Sequence, residues 1–203
     1  MKYLFLALAW TAYCTLHSAM ISETATRFLK HTLGHSFRFY RLFFNAVAVL
    51  TLIPILWYAN TLRQPPLFRW EGAWLLLKYL LQACGILLAL AGAWHYSLLQ
   101  FFGISQLRGP SSGGLAAGGG IDSRGVLGLV RHPWYTAVVL LIWSGHLDPA
   151  SVVGNTVLTA YIVVGTLLEE RKLVHEFGDA YRTYQRQVSM FLPFKWIQFH
   201  LAR

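Results

Sequence analysis

The stretch Pro149-Ala-Ser-Val-Val-Gly-Asn-Thr-Val-Leu-Thr-Ala-Tyr-Ile-Val-Val-Gly-Thr-Leu-Leu168 holds twenty residues without an Asp, Glu, Lys or Arg, and it ends on the acidic pair Glu169-Glu170. About 20 uncharged residues is the length an α-helix needs to cross the hydrocarbon core of a bilayer. On the N-terminal side, Asp148-Pro149 separates this run from another charge-free run, His132–Leu147. Proline suits the first turn of a new helix, so the two runs read as a tight helical hairpin. Further upstream the same test finds Tyr3–Ser22, Leu42–Leu62 and Tyr79–Leu107. Only helices and closed barrels satisfy the backbone in lipid, and these runs are too long and continuous for barrel strands. The expectation is an all-α fold, a polytopic membrane helical bundle of five transmembrane helices, in one domain over residues 1–203.

Composition agrees. The 203 residues are 56% hydrophobic and 12% charged, where a soluble domain carries about 25% charged residues. That excludes a disordered chain or a nucleic-acid-binding tail and argues against a soluble globule. The net charge of +9 then reads as topology and attraction to membrane lipids. With the N-terminus outside, 13 of the 17 basic residues fall on inner segments, leaving Lys2, Arg63, Arg69 and Lys78 outside. Basic residues stay on the cytoplasmic side, so the expected orientation is N-terminus out and C-terminus cytoplasmic. Met1-Lys2 and the apolar run after it resemble the start of a signal peptide. The run continues for a full span without a small-residue cleavage site, so it is expected to be retained. Cys14 and Cys84 lie in apolar runs and match no disulfide framework or metal spacing.

Two segments break the pattern. Residues 103–128 hold nine of the 17 glycines; a stretch without apolar mass or helix propensity is a cytoplasmic loop, either a linker or a lid. After Glu169-Glu170, the positions Phe177, Tyr181, Tyr184 and Val188 recur at one helical face, with charged residues on the other. The last span is therefore expected to run on as a cytoplasmic amphipathic helix.

Polar chemistry gathers at both ends of the hairpin. Arg131-His132-Pro133-Trp134-Tyr135 stands at its entrance and Glu169-Glu170 at its exit, at one membrane depth. Such groups at the edge of hydrocarbon are paired or functional. Pro133 marks a helix start, where backbone N–H groups receive an anion. Arg131 and His132 add donors, Trp134 and Tyr135 add aromatic walls, and Glu169 and Glu170 add carboxylates that accept from a hydroxylated or aminated ligand. S-adenosylmethionine has the parts this set would take.

Gly125-Val-Leu-Gly-Leu-Val-Arg-His-Pro-Trp-Tyr135, Glu169-Glu170, the run Phe177-Gly-Asp-Ala-Tyr181-Arg-Thr-Tyr184, and Leu192-Pro193-Phe194 resemble the isoprenylcysteine carboxyl methyltransferase superfamily over about residues 100–195. The resemblance implies an integral-membrane methyltransferase with a cytoplasmic S-adenosylmethionine pocket. It places Gln106, Ile121, Leu127, His132, Pro133, Trp134, Tyr135 and Glu169 at cofactor-contact positions. Leu127 stands where the family has a tyrosine. Gly165 stands where the prenylcysteine enzymes carry an arginine near the substrate carboxyl. His17-Ser18, Arg38-Phe-Tyr-Arg-Leu-Phe-Phe-Asn45 and Phe101-Phe-Gly-Ile-Ser-Gln-Leu107 are similar to the bacterial methanethiol S-methyltransferase and NnrU-like branch.

The expected activity is methyl transfer from S-adenosylmethionine to a small thiol. The alternatives are a prenylcysteine carboxylate, a lipid amine, or an NnrU-like haem-dependent isomerisation using His17 and His95. No catalytic base is assigned, no metal is expected, and the oligomeric state is left open.

Overall fold

A computed structural model of the chain describes residues 1–95, 104, 121 and 123–201, without the side chains of residues 94 and 95. Among them the α-helices are α1 (Lys2–Ile21), α2 (Glu23–Leu33), α3 (Tyr40–Thr61), α4 (Trp74–His95), α5 (Pro133–Trp143), α6 (Pro149–Phe177), α7 (Asp179–Gln187) and α8 (Phe194–Leu201), with short 3-10 helices at Gly34–Phe39 and Gly125–Gly128. The chain divides into two compact units. One holds Met1–Arg69 and His146–Leu158; the other holds Trp70–His95, the described part of Ser112–Gly145, and the described residues from Thr159 onward.

In the first unit, α1 and α3 pair along their length. The Tyr40 hydroxyl donates to the Met20 carbonyl at one end (2.6 Å), and the Tyr58 hydroxyl donates to the Lys2 carbonyl at the other (3.3 Å). Leu6, Trp10, Ile55 and Ala150 form the core between these helices and the first turns of α6. A Cβ at Gly154 would stand 2.9 Å from the Trp10 indole nitrogen, so this face of α6 has to be bare. The basic first loop holds α2, started by the Ser22 hydroxyl accepting from the Ala25 N–H at 3.2 Å. No α2 residue is buried.

In the second unit, α4 packs on α5 through its glycines. A Cβ on Gly85 would lie 2.9 Å from Leu141, and one on Gly92 would lie 2.2 Å from the Trp134 indole. Small residues allow such close approach where no hydrophobic force drives helices together in lipid. Gly92→Ala is expected to push Trp134 off its seat and cost about 1–3 kcal/mol, the range for overpacking. A thermal melt in detergent measures this; an unchanged melting temperature would mean the α4–α5 contact is looser than described.

Among the described residues, four segments contain helices long and apolar enough to cross a membrane: Lys2–Ile21, Glu23–Thr61, Trp74–Ala93 and Pro149–Phe177. Their outward faces expose large apolar side chains such as Leu50, Trp57, Leu76 and Leu87. Such a surface suits lipid contact.

The fourth expected span differs from the sequence reading. The run His132–Leu147 forms a helix only over Pro133–Trp143, eleven residues. At 1.5 Å per residue that is about 16 Å, roughly half a hydrocarbon core. The helix lies antiparallel to the later half of α6, with the Trp143 indole donating to the Thr159 hydroxyl at 2.9 Å. Beyond Ser144 the chain is a strap to Pro149, and its polar groups find partners. The Gly145 carbonyl accepts from the Trp70 indole at 2.9 Å, and the Leu147 carbonyl accepts from the Leu67 N–H at 2.8 Å. Asp148, fully buried, accepts from the Gln64 N–H at 3.2 Å and the Ser151 N–H at 2.7 Å. Backbone outside helices needs protein partners of this kind wherever water does not reach it. Absence of charge marks a buried run but not whether its backbone stays helical, which is why four full spans stand where five were expected.

The tail departs too. The helix that follows Glu169-Glu170 does not run on unbroken. It stops at Phe177, and Gly178 turns the chain at φ 56° before α7 begins. A residue with a Cβ is strained in that region. Tyr181, Tyr184 and Val188 then bury their common face on Ile121, Leu173, Val174 and Phe177.

Candidate functional site

The start of α5 is held by the chain that follows α7. Val130 pairs with Ser189 in a parallel bridge, the Arg131 N–H donates to the Ser189 carbonyl (2.9 Å), and the His132 N–H donates to the Met190 carbonyl (3.2 Å). The Tyr184 hydroxyl donates to the Leu127 carbonyl at 2.6 Å. Arg131 and His132 are thereby fixed in backbone before α5 begins, opposite the exit of α6.

There the two acidic neighbours take different surroundings. Successive helix residues point about 100° apart, so one carboxylate enters the protein and the other does not. Glu170 is the buried one, 5% exposed. Arg131 grips it with both prongs, Nε to Oε1 at 2.7 Å and Nη2 to Oε2 at 2.9 Å. His132 Nε2 lies 3.1 Å from Oε1, the Tyr181 hydroxyl donates to Oε1 at 3.4 Å, and Gln185 Nε2 donates to Oε2 at 2.8 Å. The remaining guanidinium nitrogen of Arg131 donates to the Gln185 and Val188 carbonyls. Glu170 thus joins α5, α6 and α7 at one point.

Glu170 follows the charge-free stretch of α6. Burial raises its pKa, but the bonds from His132, Arg131 and Gln185 and the guanidinium charge outweigh burial and bring it down to about 2. Tyr181 moves the other way. Burial first, then the Glu170 charge, push its hydroxyl above the usual tyrosine range, so it remains a donor.

Glu169 faces outward, its side chain 39% exposed. It accepts from the Tyr135 hydroxyl at 3.0 Å, and its Oε2 stands 4.0 Å from His132 Nδ1. The Tyr135 ring stacks on the His132 imidazole with centroids 5.5 Å apart and planes at 10°, while Phe191 covers the ring from another side at 6.3 Å. The Thr136 hydroxyl, 3.0 Å from the His132 carbonyl and 3.2 Å from the Phe191 carbonyl, ties those two segments together. The result is an imidazole clamped between aromatic rings beside an accessible carboxylate.

Against the sequence reading, the structure brings Arg131, His132, Pro133, Trp134, Tyr135, Glu169 and Glu170 to one end of the hairpin. Arg131 spends its donors on Glu170 and on backbone carbonyls. Trp134 packs on Gly92. Leu127 is buried under Tyr184, and Ile121 lies against the Tyr181 cluster. Gln106 and the glycine-rich loop lie outside the described residues. Tyr181 and Gln185 complete the network and were missed, because periodicity marks the apolar face of α7 and does not show that a tyrosine on it carries a needed hydroxyl.

His17 sits in the first unit. It packs on Phe44 at 4.8 Å and lines a shallow hollow with Tyr13, Met20 and Thr51. The side chain of His95 lies outside the described residues.

Comparison with curated proteins shows distant homology to methanethiol S-methyltransferases over most of the chain. The protein of that name from Pseudomonas deceptionensis is 34% identical over 110 residues, 52% of this chain and 41% of the relative. That from Pseudomonas sp. (strain GM41(2012)) is 26% identical over 197 residues, 92% of this chain and 72% of the relative. Methanethiol S-methyltransferase 2 of Bradyrhizobium diazoefficiens is 31% identical over 134 residues, 63% of this chain and 50% of the relative. The match thus spans half or less of two of these three relatives. No protein-family model matches the chain, and no solved structure matches it.

Proposed function

We propose that this chain is an integral-membrane methyltransferase that uses S-adenosylmethionine and methylates a small thiol. The observation that carries the reading is the outward carboxylate of Glu169, placed beside the stacked Tyr135 and His132. The homology to proteins named methanethiol S-methyltransferase supports it.

The residues fit the group in chemical terms. A carboxylate with unused acceptor capacity suits the ammonium or sugar hydroxyls of the cofactor. The Tyr135 and Trp134 rings suit an aromatic base and a sulfonium, whose positive charge is attracted to ring faces. Gln106, Ile121 and Leu127 are assigned to the same pocket by the family resemblance. When bound, the cofactor supplies a methyl group on a positively charged sulfur. The chain's own contribution is then to hold, orient and exclude water. Arg131 and Glu170 contribute by fixing the first turn of α5 against α6 and α7. A small soft acceptor is favoured over a prenylcysteine carboxylate because Gly165 offers no arginine, and nothing lies within 4 Å of where its Cβ would be. We place the C-terminal tail on the cytoplasmic side from the distribution of basic residues, with α5 and its strap together making the fifth crossing.

Calorimetric titration of the detergent-purified chain with S-adenosylhomocysteine tests the reading. Saturable binding is expected, weakened about tenfold or more by Glu169→Ala, since a hydrogen bond to a charged group is worth about 1.5–3 kcal/mol. Because Glu169 is half-exposed and outside the Glu170 network, the variant should melt like the wild type. Folded wild-type protein that bound no S-adenosylhomocysteine would overturn the proposal.

A further inference from the structure

We propose that His132 is the general base of the reaction, accepting the acceptor thiol's proton at Nδ1 while Glu170 fixes the tautomer that leaves Nδ1 unprotonated. This rests on the reading of the chain as a thiol methyltransferase.

The argument starts from Glu170. An ionised carboxylate only accepts hydrogen bonds. Its Oε1 already receives Arg131 Nε, so His132 Nε2, 3.1 Å from the same oxygen, has to be a donor. A neutral imidazole has one N–H, and with the proton on Nε2, Nδ1 carries a lone pair. The ring cannot exchange the two nitrogens by flipping without breaking the Glu170 bond and sliding out from under Tyr135 and Phe191. Nδ1 faces Glu169 Oε2 across 4.0 Å. That is too long for a hydrogen bond, and Oε2 already accepts from the Tyr135 hydroxyl, so Nδ1 is the acceptor that a thiol entering on this side meets. The gap lies on the exposed side, where Glu169 and Tyr135 meet the surroundings.

The charged and titratable groups around the ring are Glu169 and Glu170 from α6 and Tyr135 from α5. Arg131, and Tyr181 from α7, reach Glu170 rather than the ring. A thiol reacts as its thiolate; even a cysteine-like thiol with a pKa near 8.5 is only a few per cent ionised at pH 7, and a simple alkyl thiol less. Imidazole is the side chain most often used as a general base, and at this gap it is the group suited to take a thiol proton.

In the step, the thiol S–H bond breaks and its proton goes to Nδ1. The electron pair left on sulfur forms the new S–CH3 bond. The bond from that methyl to the sulfonium breaks with its pair staying on the departing sulfur, which becomes a neutral thioether. One positive charge moves from the sulfonium to the imidazolium, which stands between Glu169 and Glu170.

The test is His132→Gln, whose amide nitrogen still reaches Glu170 as a donor but offers no base. S-adenosylhomocysteine affinity is measured by calorimetry. Methylation is measured at saturating cofactor for an alkyl thiol and for an aryl thiol acidic enough to be ionised at neutral pH. Cofactor affinity, which His132 serves through the ring it stacks on Tyr135, should fall by less than about tenfold. Alkyl-thiol turnover should fall about a hundredfold or more, the scale of general-base catalysis, and aryl-thiol turnover less than about tenfold. Equal losses for both thiols, or cofactor affinity lost in step with turnover, would overturn the assignment. A wild type that binds no S-adenosylhomocysteine and methylates neither thiol would instead sink the methyltransferase reading. A second readout uses the wild type loaded with S-adenosylhomocysteine. The 15N spectrum of its labelled imidazoles, with His132 identified by its absence from H132Q or H132N, should show Nδ1 bare and Nε2 protonated. The opposite tautomer would overturn the proposal whatever the turnover.

Discussion

Arg131→Met should lower the stability of the chain by about 3–5 kcal/mol, the cost of leaving one partner of a buried ion pair behind. The stranded group is Glu170, 5% exposed, which loses both prongs of the guanidinium at once. The same substitution frees the Gln185 and Val188 carbonyls, so α7 should loosen with it. Limited proteolysis should then cut between α7 and α8 in the variant well before it cuts there in the wild type. Arg131→Met/Glu170→Met should recover most of the loss, because replacing a buried pair by apolar side chains of similar volume is often close to neutral. The double-mutant cycle separates the pair from its surroundings. Protonation gives a further check. Glu170 is held at about 2 against an ordinary 4.5, so the network's contribution is complete above about pH 4.5 and is lost as the pH falls from there toward 2. In Arg131→Met that acid dependence should be much reduced. A variant as stable as the wild type at neutral pH would mean that the tail docks without this network.

The residues also show why the site was partly legible beforehand. Charge-free runs locate α1, α3 and α6 closely, since absence of charge over about twenty residues is a direct consequence of lipid as solvent. Arg131-His132 and Glu169-Glu170 stand out because polar groups at the end of such runs need partners, and hairpin topology puts them at one depth. What the sequence does not separate is Glu169 from Glu170. The two are chemically identical and adjacent, and only the packing of α7 decides that Glu170 is enclosed by Arg131, His132, Tyr181 and Gln185 while Glu169 is left outward. Arg131 looks equally available to an anionic ligand until its partners are seen. Charge-free runs pass over helix α2, though Ser22 and Glu23 stand at its start in the usual capping order. The half-length of α5 is the least legible feature, because Ser144-Gly145-His146-Leu147 is as free of charge as a span.

That strap makes Asp148 the other residue with a large expected effect. Asp148→Leu is close in size and suits an apolar setting, yet it should cost about 2–3 kcal/mol. Two N–H groups, those of half-buried Ser151 and exposed Gln64, lose their acceptor; a buried donor left unmade costs about 1–3 kcal/mol, and the exposure of Gln64 leaves the Ser151 donor to carry most of the loss. The Ser151 bond is also an N-cap, satisfying one of the donors at the start of α6, and capping side chains are worth about 0.5–2 kcal/mol. The contributions overlap, so they do not simply add. Asp148→Asn keeps one oxygen, enough for Ser151, but turns an amide donor toward the Gln64 N–H, so it should lose less than the leucine variant and still melt below the wild type. If an acidic residue stood here only because a loop tolerates charge, Asp148→Leu would be neutral or stabilising in a membrane. Melts of the three proteins in one detergent decide between these, and a leucine variant at wild-type stability would mean that the strap is solvated and that α5 does not end inside the protein. The expected order, wild type above asparagine above leucine, ties the half-length helix to the one carboxylate that makes its exit from helical structure affordable.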